Sequence, residues 1–142
     1  VGQAKQKTPK LNLTFIGRIL RTIVMLSLFT PTKKQIGTQL FVVRLHAEWC
    51  DNSKGLNTLY NNLKNRFDGE EVLFITLDFT NNTTKHQSQL LALAIGVFDT
   101  VANYSETGQL LLVTARGKNV VKAFTKEQSF QEVETFISHR LK

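Results

Sequence analysis

From Gln39 onward the chain alternates two hydrophobic periodicities in a fixed order, and that order leaves few architectures open. Leu40-Phe41-Val42-Val43-Arg44-Leu45-His46 is β-rich and largely apolar, as a strand covered on both faces would be, with Arg44 as its one interruption. Over about residues 53–67, Leu56, Leu59, Tyr60, Leu63 and Phe67 recur every third or fourth position, which predicts a helix with one buried face, stopped at Asp68-Gly69. Residues 72–79 read as a second buried strand. Asn81-Asn82-Thr83-Thr84 is a turn with capping residues, leading into a helix that contains Leu90, Leu91, Leu93, Ala94 and Ile95 and is closed by Gly96. Residues 109–115 form a third strand, Arg116-Gly117-Lys118-Asn119 a tight turn and residues 120–124 the antiparallel partner. Phe130, Val133, Phe136, Ile137 and Leu141 define a last amphipathic helix. Residues 97–108 carry no pattern that assigns them. Strand, helix, strand, helix, hairpin, helix predicts an α/β domain over residues 39–142, with a central mixed sheet and helices on both faces.

Ahead of that domain the chain changes character. Residues 1–47 hold eight basic side chains and no acidic one, while the rest holds ten basic and eleven acidic, so the net charge of +7 belongs to the leading arm. Residues 1–38 are read as this basic arm, with an amphipathic helix over about residues 14–29, where Phe15, Ile16, Ile19, Leu20, Ile23 and Val24 fall at helical spacing and Pro31 ends the run. Three roles fit that helix: packing its apolar face on the domain, lying on an anionic membrane surface through residues 14–34, or serving as a cleaved secretory or organelle leader. It is short for a span and carries Arg18 and Arg21 early, which argues against crossing a bilayer. A cytoplasmic or membrane-peripheral location is favoured on these grounds. The arm lacks the interleaved aromatics and motif of a nucleic-acid binder, so nucleic acid is not expected as a partner.

The chain has one cysteine, which excludes an intrachain disulfide and a four-cysteine zinc site. His46, His86 and His139 have no mutual spacing for a metal, and no phosphate-binding glycine pattern is present, so no metal or cofactor is expected. The cysteine sits in Ala47-Glu48-Trp49-Cys50-Asp51-Asn52-Ser53-Lys54, between the first strand and the first helix. There, unpaired backbone N–H groups and the helix dipole favour thiolate over thiol. This segment resembles the active site of the thioredoxin-like superfamily, A-E-W-C-x-x-C-K, with W-C-x-x-S in place of W-C-x-x-C. The resemblance covers roughly residues 39–142 and implies a thioredoxin-like fold. It implies that Cys50 matches the attacking thiol, that Ser53 matches the resolving one, and that Trp49 shields one side of the sulfur.

Three further positions depart from that pattern. Where the superfamily keeps a buried aspartate that handles protons, this chain has Arg44, which accepts none and needs a partner such as Asp78. The aromatic position four before the cysteine is His46, a base or hydrogen-bond partner. The cis-proline facing the cysteine is replaced, with Gly108 the nearest equivalent, since both prolines precede the domain. Resolver, carboxylate and proline together support dithiol exchange. Their loss points to a redox-degenerate protein with a single active-site cysteine, acting in thiol-dependent interaction or scaffolding with a protein partner. The other reading is a monothiol thiol–disulfide oxidoreductase with glutathione as co-substrate.

Overall fold

The first strand, β1 (Leu40–His46), takes hydrogen-bonded partners on both edges and helices on both faces, which is why its residues are almost uniformly buried. The protein is described by a computed structural model over residues 37–141. The arm expected over residues 1–38, with its helix over about 14–29, lies outside the described residues except for Gly37 and Thr38. In chain order the elements after β1 are α1 (Asp51–Gly55), α2 (Asn57–Arg66), β2 (Val72–Asp78), α3 (Asn82–Ile95), α4 (Phe98–Ala102), β3 (Gln109–Thr114), β4 (Val120–Phe124) and α5 (Phe130–Arg140).

The sheet order is β2-β1-β3-β4. β1 runs parallel to β2, with Arg44 opposite Thr76 and His46 opposite Asp78, and antiparallel to β3, which forms an antiparallel hairpin with β4. This mixed sheet, flanked by helices, is a thioredoxin-like fold. Because strand side chains alternate in direction, β1 and β3 each feed two cores. Leu40, Val42, Leu110 and Leu112 meet Leu59 and Leu63 of α2 and Val133 and Ile137 of α5 on one face. Phe41, Val43, Leu45, Leu111 and Val113 meet Ala92 of α3 and Val101 of α4 on the other.

Two expectations need correction, and one unassigned stretch is filled in. The single helix over residues 53–67 is two helices: α1 ends at Gly55, Leu56 N turns back to Ser53 O at 3.3 Å, and α2 starts at Asn57. Apolar spacing continues across the break, so periodicity alone does not reveal it. Residues 72–79 are not buried throughout: among the described residues β2 lies at an edge of the sheet, and within it only Ile75 and Leu77 are buried, while Leu73 is 43% exposed. The unassigned residues 97–108 contain α4 and a loop that returns to β3.

The third helix begins and ends as its sequence predicts. Asn81 Oδ1 accepts from Thr84 N at 3.0 Å while Thr84 Oγ1 accepts from Asn81 N at 3.1 Å, a reciprocal cap, and Gly96 ends the helix with φ of 77°. Its buried contacts come from Ser88 and Ala92, whereas Leu90, Leu91 and Leu93 are exposed.

Candidate functional site

The site is assembled where β1 ends. After His46 the chain turns tightly, with Cys50 N donating to Ala47 O at 3.1 Å, and Cys50 O then accepts from Lys54 N at 3.2 Å as α1 starts. Glu48 N donates to Thr80 Oγ1 at 3.0 Å and Trp49 Nε1 to Thr80 O at 3.1 Å. Thr80 is held in turn by Asp78 Oδ1, which accepts from its amide at 2.8 Å and its hydroxyl at 2.5 Å. The W-C segment is thus tied to the end of β2 through Thr80, a residue that no local motif marks.

Cys50 is partly exposed. Its pKa is lowered by the hydroxyl of Thr107, the hydroxyl of Ser53 and the backbone N–H groups of Ser53 and Asn52. Thr107 contributes most. Together these donors outweigh partial burial and hold the thiol below its ordinary pKa. The helix dipole expected to do this is truncated, because α1 has only five residues before the break. The unpaired backbone N–H groups expected at the start of the helix, those of Asn52 and Ser53, are among the groups that lower the thiol's pKa.

Ser53 is fully buried, and its Oγ accepts from Ala47 N at 3.2 Å. A hydroxyl has one proton. With the Ala47 amide on its acceptor side, Ser53 can turn that proton toward the Cys50 sulfur.

Thr107 is not among the residues that the sequence places at the site. It enters because Gly108, the expected proline equivalent, brings the loop before β3 against α1. Gly108 N donates to Leu45 O at 2.7 Å and its φ is +83°. A Cβ there would collide with Asn52 Cβ and lie 3.0 Å from Ser53 N. Glycine is required by both the backbone conformation and the close approach. The one sequence signal for Thr107 is its adjacency to Gly108.

Arg44 is 8% exposed and lies behind the site. Its Nη2 donates to His46 Nδ1 at 2.9 Å, bonds Asn57 Oδ1 and points to Ser53 O at 3.4 Å, while the guanidinium lies 5.2 Å from the Tyr60 ring centroid. Asp78, the expected partner, acts on it only through charge, since the Asp78 carboxylate is engaged by Thr80. Burial lowers the Arg44 pKa, yet a guanidinium stays protonated.

Because Arg44 can only donate, His46 Nδ1 is the acceptor and its proton sits on Nε2. Burial, then the neighbouring Arg44 charge, lowers the His46 pKa below its usual range. His46 thus serves Arg44, and no hydrogen bond links it to Cys50. Burial alone would raise Asp78, but the Thr80 bonds, with His46 and Arg44, bring it below the usual carboxylate range.

Trp49 is 66% exposed and walls a neighbouring cavity. That cavity, of about 480 Å³, has Leu45, Leu77, Phe79 and Ala92 among its walls, and Thr107 lies on its lining beside Trp49. Among the described residues no group of three or more His, Cys, Asp or Glu side chains is placed to hold a metal ion.

Fold and site together define a protein of thioredoxin-like fold with one cysteine at the end of its first described strand. Among solved structures the chain is similar to Trxlp from Edwardsiella tarda, at 18% identity over 72% of this chain and 84% of that one, with a TM-score of 0.48. It is also similar to the oxidised thioredoxin from Plasmodium falciparum, at 14% identity over 75% of this chain and 86% of that one, with a TM-score of 0.46. Neither a family model nor a curated protein matches the chain. The fold assignment rests on the strand order and pairing described above, and these likenesses say nothing of activity.

Proposed function

We propose that the protein is a thiol-dependent interaction module in which Cys50 captures a partner protein as a mixed disulfide. The observation that carries this reading is a partly exposed Cys50 placed directly before α1, its pKa lowered chiefly by the Thr107 hydroxyl and further by Ser53 and Asn52. A remnant cysteine needs no such arrangement. In the capture step the Cys50 thiolate attacks one sulfur of a partner disulfide, a new S–S bond forms, and the other partner sulfur leaves as thiolate. Ser53 has no sulfur with which to resolve the adduct, so the adduct persists until an outside thiol arrives.

That persistence also supports a second reading, a monothiol oxidoreductase. Here the thiolate of glutathione attacks the mixed disulfide, releases Cys50 as thiolate and departs as a disulfide with the former partner. The two readings differ in turnover. The test is to measure the alkylation rate of Cys50 against pH and to assay disulfide reduction with and without glutathione, in wild type and Cys50→Ser. A lowered midpoint with no turnover supports the interaction module. Turnover that requires glutathione and disappears in Cys50→Ser selects the enzyme. A midpoint at the free-cysteine value with no adduct detectable by mass spectrometry would sink both.

A further inference from the structure

Arg44 is the one charged side chain buried among the described residues, and no carboxylate among them lies within ion-pair distance of it. A guanidinium buried without an ion pair is costly, so its fixed neighbours must compensate. Those neighbours converge on the break between α1 and α2. In a continuous helix Ser53 O would accept from Asn57 N; here it takes the 3.3 Å bond from Leu56 N. Arg44 Nη2 approaches the same carbonyl at 3.4 Å and bonds the side chain of Asn57, the first residue of α2. Its other bond, to His46, ties the guanidinium to β1. Nε is buried with no partner, so the bonding is concentrated on the nitrogen that faces the break.

The geometry points to Arg44 as a positioning residue for the Cys50 thiolate: it clamps the α1–α2 break to β1 and thereby fixes Ser53, which is fully buried in the first turn of α1 after Cys50. This rests on the reading of Cys50 as a working thiolate. The clamp differs in kind from a proton-accepting carboxylate at the same place. A guanidinium carries its charge throughout the range in which a thiol titrates, so the anchor does not change as Cys50 gains or loses its proton. The titratable groups facing Arg44 are His46 on its own strand, Asp78 on β2 and Tyr60 on α2. Between about pH 7 and pH 9.5 His46 is neutral, Tyr60 protonated and Asp78 ionised, so that window isolates the thiol.

The test measures Cys50 alkylation against pH, alongside the thermal midpoint, in the full chain, in Arg44→Met, in Asn57→Ala and in Val133→Ala. Val133→Ala trims a core residue of α5 and serves as the control for plain destabilisation. The expected result is a Cys50 midpoint raised by about one pH unit in Arg44→Met, a tenfold change in the thiol–thiolate equilibrium. Asn57→Ala should give a smaller rise in the same direction, and Val133→Ala a lower thermal midpoint without any shift of the thiol. Should Arg44→Met fail to fold, Asn57→Ala, at an exposed position, reads the same clamp from the helix side. A lowered wild-type thiol midpoint that both clamp variants leave in place would overturn the role of Arg44 alone. A wild-type midpoint already at the free-thiol value would remove the thiolate reading and this inference with it.

Discussion

At Gly108 a single hydrogen atom in place of a methyl group decides whether the site exists. An added Cβ meets Asn52 and Ser53, both of which border the sulfur, and the left-handed backbone adds strain of its own. Gly108→Ala is therefore expected to lose about 1–3 kcal/mol of stability in urea titrations. It should also slow Cys50 alkylation near neutral pH; an unchanged rate together with unchanged stability would contradict the close approach. Cys50, Ser53 and Gly108 are legible in the sequence because each occupies a position in one short motif or its expected counterpart. Thr107 and Thr80 are not, since each acts on residues far away in sequence through a side-chain oxygen that many exposed threonines also carry. Arg44 stands out as an interruption in an apolar strand, but the sequence does not identify its partners. Where a carboxylate is expected, the structure supplies a histidine ring, an amide, a carbonyl and an aromatic face instead.

Among the elements, local signals are most reliable where local chemistry makes the structure. The start of α3 is set by Asn81 and Thr84 bonding each other's backbones, and its end by Gly96, both visible within a few residues of sequence. Asn81→Ala is expected to cost about 1 kcal/mol, measured by chemical denaturation, because the Thr84 amide loses its acceptor at an otherwise open helix end. No loss would mean that water caps the helix equally well. The α1–α2 break illustrates the opposite case. Leu56, Leu59 and Leu63 keep helical spacing across it, and the side chain that approaches the Ser53 carbonyl at the break comes from β1. β2 departs from its expected burial for a related reason: an apolar run suits an edge strand under helices as well as a central one, and only the sheet order separates the two.

For the whole molecule, the shifted groups predict how stability follows pH. His46, Asp78 and Cys50 have folded pKa values below their ordinary ones, so in each window the unfolded chain binds more protons and stability rises with pH. The contribution of His46 is complete above its ordinary value of 6.5 and is lost as pH falls through its lowered folded value. Tyr60 has the opposite sign: burial raises its pKa, so its contribution is complete below its ordinary value of 10.0 and is lost as pH rises through the raised one. The urea midpoint should therefore climb from acid through neutral into mildly alkaline conditions and fall again above about pH 10. His46→Gln should flatten the acid limb below 6.5, and an unaltered limb would show that the ring is not held neutral by its burial beside Arg44.

The sequence by itself determined the order of the strands and the three main helical regions, the helix stops, the hairpin and the place of the cysteine, because periodicity, capping and turn chemistry act over a few residues. It also determined that exchange by two internal thiols is impossible, since only one sulfur of that kind is present. Only the tertiary structure decided which of the described strands lie at the sheet edges, where the helix after Cys50 breaks and which groups act on the sulfur. Those outcomes depend on Arg44, Ser53, Thr80 and Thr107 meeting across the chain, and such contacts form only when the sheet and its helices pack.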